Sequence, residues 1–265
     1  MQATLSIAGS VDGLRYNKAD NTVWALQNQD GNSHLTIINA ATNATTPVSY
    51  AVTSPSMGYD DLAFRGNQTF FSYTNPGAPT DAVIAKIVNG TGPIAVTTVL
   101  NDASPTGGLN TNDPDSLVLA PNGDLVQSSG DNGILTFVHN PGLASQTARY
   151  LQLTSGGTPV SGLDDSQWIT TKSGTLYVTD TNSNRVLSLA LTGLTPGTLL
   201  ANIGSLNALS FVDPTTGAVT PFIGNLDAPH GLAFVPTVAE PAALGVLGLG
   251  LAGVVAARRR RSSAR

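Results

Sequence analysis

Along residues 1–236 the apolar positions fall in short runs, separated by turns rich in Gly, Asn, Asp, Ser and Pro. The run 117–120 leads through the turn Pro121-Asn122-Gly123 to 124–128, then to 133–139 and 147–153. A second stretch reads the same way, with 166–171, the turn Lys172-Ser173-Gly174, 175–179, a loop at 180–184, and 185–191. Runs this short, bounded by Asn-Gly and Ser-Gly turns, predict β-strands and hairpins; helices would need longer periodic segments.

The runs also repeat. Val11-Asp12-Gly13-Leu14, Tyr59-Asp60-Asp61-Leu62, Pro114-Asp115-Ser116-Leu117, Ser161-Gly162-Leu163-Asp164-Asp165 and Pro229-His230-Gly231-Leu232 share a small or acidic residue beside the start of an apolar strand. Their leucines lie 48, 55, 46 and 69 residues apart. A noisy period of about fifty residues, with four short strands per unit, predicts the blades of a β-propeller. A β-sandwich is the alternative, and it is disfavoured because the strand order repeats. The 163–232 interval is too long for one blade and holds an extra pair of strands, 208–212 and 219–223. The expected fold is therefore all-β, a propeller of five to six blades. Its ring is incomplete at the N-terminus if four clear blades and fragments of one or two more are all that the chain supplies.

Composition sharpens this picture. The 265 residues are 41% hydrophobic, enough for a large core, and contain no Cys, which removes disulfides, thiolate catalysis and Cys-bound zinc. Of the 17 acids only Glu240 is a glutamate, as expected of a surface made of turns, where Asp outcompetes Glu. Five of the 12 basic residues, Arg258, Arg259, Arg260, Arg261 and Arg265, close the chain, so residues 1–257 carry 7 positive and 17 negative charges, a net of −10. That balance excludes nucleic acid as a partner and predicts repulsion from anionic membrane.

The C-terminus forms a separate unit. Thr237-Val238-Ala239-Glu240-Pro241 is followed by sixteen apolar or small residues, 242–257, and then by Arg258–Arg261. As a helix that run is about 24 Å long at 1.5 Å per residue, short of a ~30 Å hydrocarbon core but able to span it if the bilayer thins and the arginines snorkel. A buried helix of a soluble protein would place polar residues at helical period, and here there are none. The arginines orient the span with the C-terminus in the cytoplasm. The expected organisation is a propeller-like domain at 1–236, a linker and sorting motif at 237–241, a single transmembrane helix at 242–257 and a basic cytoplasmic tail at 258–265.

An acidic Pro-containing tripeptide, Ala239-Glu240-Pro241, followed by a short apolar helix and an arginine block, resembles the PEP-CTERM sorting signal of Gram-negative bacteria; Ala239 stands where that signal has its first proline. The resemblance implies recognition by exosortase, cleavage near Glu240-Pro241, and an exopolysaccharide or biofilm setting. The protein would be exported, held in the inner membrane as an intermediate, then placed at the cell surface or outside the cell. Export of this kind calls for an N-terminal signal peptide, and residues 1–10 have neither its basic start nor its apolar run, so the natural start is expected upstream of Met1.

The phrases at 117–125 and 174–186 are similar to the blades of NHL-repeat and gluconolactonase-like six-bladed propellers. Those enzymes hold a divalent metal with Glu, Asn and Asp beside a base, yet residues 1–239 contain no glutamate. In a propeller the inner strands begin near the central channel. This places Asp12, Asp60 (or Asp61), Asp115, Asp165 (or Asp164) and His230 at one mouth, where oxygen ligands would suit Ca²⁺ or another divalent cation. Equally, each Asp can cap its own turn, or the channel can hold only water. His34 and His139 read as partly exposed strand residues, and Trp24, Trp168, Tyr16, Tyr59, Tyr73 and Tyr177 read as blade core before sugar platform. No Gly-x-Ser-x-Gly elbow is present. Two functions follow. One is a surface or matrix module that binds polysaccharide or a surface protein at the propeller mouth. The other is a metal-dependent, lactonase-like hydrolase.

Overall fold

The computed structural model describes residues 7, 9–28, 33–50, 58–73, 82–88, 93–101 and 113–237. Apart from a single turn of 3₁₀ helix at Gly204–Leu206, its regular elements are strands. Blade 1 is β1 (Val11–Asn17), β2 (Thr22–Gln27), β3 (His34–Asn39) and β4 (Thr45–Val48), paired in that order. Blade 2 is β5 (Tyr59–Arg65), β6 (Gln68–Tyr73), β7 (Ala82–Val88) and β8 (Ala95–Asn101). Blade 3 is β9 (Pro114–Leu119), β10 (Leu125–Ser129), β11 (Ile134–His139) and β12 (Thr147–Gln152), and the small hairpin β13 (Thr154–Ser155) and β14 (Thr158–Pro159) follows it.

The last two blades share their chain. β15 (Leu163–Trp168) pairs with β18 (Leu199–Ile203), which continues to β19 (Ala208–Val212) and β20 (Val219–Ile223) as blade 4. The intervening hairpin, β16 (Ser173–Asp180) and β17 (Arg185–Thr192), pairs instead with β21 (Pro229–Pro236) as a three-stranded blade 5. The expectation that 166–191 forms one blade is thus corrected, and the extra pair at 208–223 completes blade 4. The cause is visible where β15 ends. Ile169 donates to Thr198 O at 2.8 Å and Gly197 to Ile169 O at 2.8 Å, so residues 170–196 leave blade 4 as an excursion between two bonded positions. Among the described residues the five-to-six expectation resolves to five blades.

Period-two alternation sends neighbouring residues to opposite faces of each blade, so every blade feeds two cores. On β6, Phe71 joins Leu26, Leu35, Tyr59 and Leu62 between blades 1 and 2, whereas Phe70 joins Ile84, Leu117 and Leu125 between blades 2 and 3. Leu135, Leu153, Leu163, Trp168 and Leu199 fill the space between blades 3 and 4, and Leu176, Val178, Leu200, Leu209 and Phe234 that between blades 4 and 5. Among the described residues no such cluster joins blade 5 to blade 1. There Leu14 and Tyr16 are 54% exposed and Val186 64% exposed.

Each inner strand also carries a bulge at the same place. Two residues, Asp12-Gly13, Asp60-Asp61, Asp115-Ser116, Asp164-Asp165 or His230-Gly231, face a single residue of the next strand. This is the structural content of the sequence repeat, and it moves the fourth unit by three positions: Ser166, not Leu163, stands where the other blades have Leu14, Leu62, Leu117 and Leu232. A bulge bends the strand and turns both extra residues toward the channel end.

Glycine at position 13 lets blade 1 approach blade 2, since a Cβ there would lie 2.5 Å from Asp60 O. Gly66 has a φ of +58° but nothing within 4 Å. Gly66→Ala is therefore expected to cost about 1 kcal/mol, the left-handed penalty alone. Gly13→Ala should cost about 2–3 kcal/mol, because backbone must move. Thermal unfolding separates the two, at about 2–4 °C per kcal/mol for a chain of this size.

Candidate functional site

The bulges stack two tiers of side chains around the axis. The inner tier comes from the second bulge residue, and it links blades. Asp61 Oδ2 accepts from Leu117 N at 2.9 Å, Ser116 Oγ from Ser166 N at 3.1 Å, and Asp165 Oδ2 from Leu232 N at 2.7 Å. Leu117, Ser166 and Leu232 occupy equivalent positions one blade further on, so blade 2 is fastened to blade 3, 3 to 4 and 4 to 5 by the same device. Ser72, opposite the Asp61 bulge, accepts from Asp61 N at 2.9 Å and donates to Asp115 O at 2.7 Å. Ser116, Ser128 and Ser166 form a buried hydroxyl cluster with Oγ separations of 3.0, 3.2 and 3.3 Å.

Arg15, on β1, fills the axis beside this tier. Its Nη2 pairs with Asp61 Oδ2 and lies 3.7 Å from Asp165 Oδ1, and its Nε donates to Leu62 O at 3.3 Å. One guanidinium thus serves carboxylates of blades 2 and 4. Asp61 Oδ1 has no partner, and burial pushes the Asp61 carboxyl up despite the arginine. Burial likewise raises Asp165, to about 7, with the Arg15 charge opposing the shift.

The outer tier comes from the first bulge residue of each blade: Asp12, Asp60, Asp115, Asp164 and His230. Asp60 and Asp115 hydrogen-bond to each other, which requires a proton on one of them. Burial first, and the neighbouring carboxylates next, raise Asp115 to about 10, and burial also lifts Asp60 well above the usual carboxylate range. Asp164 pairs with His230 Nδ1, a bond that raises the imidazole. Asp12 accepts from Ser10 Oγ at 3.2 Å.

Together these groups line a cavity of about 590 Å³ that opens at the mouth, with Tyr177, Thr179 and Thr181 along its blade 5 side. Of the residues singled out in the sequence, Asp12, Asp60, Asp115 and His230 stand in the outer tier. Asp165 does not: Asp164 takes that place, and Asp165 lies below it with Asp61. Tyr177 lines the cavity and is 40% exposed, whereas Tyr59, Tyr73 and Trp168 are buried core. Sequence reasoning missed Arg15. Its one signal is that it is a lone cation directly after a repeat motif in a domain short of cations.

As for a metal, the carboxylates here already have partners: Asp61 and Asp165 have Arg15, Asp164 has His230, and Asp60 has Asp115. Among the described residues no group of three His, Asp or Glu side chains is placed to hold an ion. Nor is any helix among them long and apolar enough to cross a membrane. Ala239, Glu240, Pro241, the 242–257 segment and Arg258–Arg261 lie outside the described residues.

No family model and no curated protein matches the sequence. Among solved structures the chain is similar to virginiamycin B lyase from Staphylococcus aureus, at 18% identity over 85% of this chain and 77% of that one, with a TM-score of 0.45. It is also similar to a nidogen/laminin complex, at 12% identity over 88% and 87%, with a TM-score of 0.45. A third is the PQQ-bound aldose sugar dehydrogenase of Streptomyces coelicolor, at 12% identity over 88% and 83%, with a TM-score of 0.46. Likenesses this distant carry no argument about activity.

The raised carboxyls fix a pH dependence. The folded chain holds a proton shared by Asp60 and Asp115 and another on Asp165 that the unfolded chain releases above about pH 4, so stability falls as pH rises through 7 toward 10. His230, also raised, adds stability that is present below its unfolded value and lost as pH rises through its folded one. The lowered groups, Asp180 and Asp213, titrate below this window. The melting temperature should therefore be about 3 °C or more higher at pH 5 than at pH 8. Asp115→Asn, isosteric with the protonated carboxyl, should flatten the slope. An equal slope in that variant, or a maximum at pH 8, would overturn the assignment.

Proposed function

We propose that the chain is an exported bacterial surface or matrix protein, sorted by exosortase through residues 237–265, whose propeller is a ligand-binding module. The observation that carries the binding reading is the mouth cavity with its charges fixed in pairs. Its walls are preorganised by bonds between blades, and with one proton shared by Asp60 and Asp115 its outer tier still carries more carboxylate charge than His230 neutralises. Such a mouth suits a ligand that presents positive charge and hydroxyls, as an amine-bearing matrix polysaccharide does. A lactonase-like hydrolase would first need a divalent ion to displace Arg15, His230 or the shared proton from these carboxylates. The sorting half of the reading rests on Ala239-Glu240-Pro241, the apolar run and the arginine block.

Both halves can be tested on the full chain. In cells with exosortase the mature protein should end near Glu240, and in cells without it the tail should stay attached to the membrane fraction. An intact tail in both strains would sink the sorting reading. With purified protein, Ca²⁺ or EDTA should leave the melting temperature within about 1 °C, while oligo-glucosamine should raise it and N-acetylated oligomer should not. A shift of several degrees with Ca²⁺ alone would replace the binding module by the metal enzyme.

A further inference from the structure

The charge balance of −10 conceals a division between the two ends of the ring. Every inner strand runs from the mouth to the opposite face, so strand direction places each charge. Among the described residues Lys18, Arg65, Lys86, Arg149 and Lys172 lie toward the face opposite the mouth, and only Arg15 and Arg185 lie on the mouth side. Of the thirteen described aspartates, only Asp20, Asp124 and Asp213 share that opposite face; the other ten lie toward the mouth. The opposite face is therefore net positive, 5 minus 3, and the mouth side net negative, 2 minus 10, before the raised carboxyls are allowed for. The repulsion from polyanions expected of the whole domain belongs to one end of it.

On the positive face a groove of about 570 Å³ runs between blades 3 and 4. Arg149, on β12, lies over the Phe137 ring with its Cζ 4.2 Å from the centroid, and of its five N–H donors one is used, on Pro214 O at 2.9 Å. His139 Nδ1 lies 2.7 Å from Asp124 Oδ1, so the one carboxylate lining the groove already has a partner. Trp168 also lines the groove, is 6% exposed, and its indole N–H meets no acceptor. Asn122, Thr147 and Thr215 add neutral hydrogen-bonding groups to the rim.

We infer that this groove is a second binding site, distinct from the mouth, and that it takes a carboxylate-bearing saccharide, a uronate. The guanidinium fork matches a planar carboxylate, already held flat by the Phe137 ring. The hydroxyl and amide rim matches sugar hydroxyls, and the Trp168 ring forms part of the wall they would lie against. A bilayer surface also offers anions, but a concave cleft lined by Trp168 and Pro214 is shaped for a residue that enters it.

The test uses the full chain in detergent micelles, with tri-galacturonate as the probe and neutral galactotriose as its control. Trp24 and Trp168 are the only tryptophans, so Trp24→Phe leaves Trp168 as the sole indole reporter. Tri-galacturonate should change its fluorescence saturably, and galactotriose should not. By calorimetry Arg149→Gln should weaken binding at least tenfold. Asp164→Asn at the mouth should leave it unchanged. Melting curves confirm that each variant is folded. Equal binding of the neutral trimer, unchanged affinity in a folded Arg149→Gln, or binding only to phosphatidylglycerol vesicles would each overturn the proposal.

Discussion

A hydrogen bond from the inner strand of one blade to the bulge of the blade before it is the interaction on which the rest of the structure depends. Blades pack through apolar faces that are alike, Leu, Val and Phe against Leu, Val and Phe, so the cores hold neighbours together without fixing their relative height. Asp61 to Leu117 N, Ser116 to Ser166 N and Asp165 to Leu232 N fix it. Such a bond stabilises by about 0.5–1.5 kcal/mol net, more where the acceptor is ionised, and leaving the buried partner unmet would cost about 1–3 kcal/mol. Sliding one blade along its neighbour is opposed from both sides. Where blade 1 meets blade 2 Gly13 stands at the linking position, and close backbone approach sets the height together with the bonds of Arg15 to Leu62 O and Asp61.

The device has an electrostatic consequence that shapes the mouth. Linking blades through buried aspartates gathers negative charge on the axis, where the dielectric is low and like charges repel strongly. Three neutralising means are visible: a guanidinium between Asp61 and Asp165, an imidazole on Asp164, and a proton between Asp60 and Asp115. These carboxylates therefore read first as structure. What they offer a ligand is the residual field above the outer tier, together with a cavity whose walls do not need to reorganise.

How much of this the sequence disclosed follows from what each signal encodes. Strand period and Asn-Gly turns are local, so the strands and most hairpins were legible, and the repeat Asp-x-Leu marked the inner strands because a bulge needs the same local chemistry in every blade. The partner of a strand is not local. Residues 173–192 read as the continuation of 163–168 because a hairpin that serves the next blade looks the same as one that serves its own. The choice between Asp164 and Asp165 was hidden for a related reason, since the fourth unit has Ser166 where the others have leucine, and the apolar anchor that sets the register was read three positions early. Arg15 carries no motif at all, and its role exists only because blades 2 and 4 bring their carboxylates to it.

Chain direction ties the two ends of the ring to the tail. β21 begins at the mouth with Pro229 and His230 and delivers the chain to the opposite face, where Thr237 N donates to Ser173 O at 3.0 Å. A membrane anchor attached after that bond would hold the cationic face toward the bilayer and direct the acidic mouth outward. The orientation would be favoured twice, by attachment and by charge, because lysines and arginines near an anionic surface contribute about 1 kcal/mol each and carboxylates are repelled.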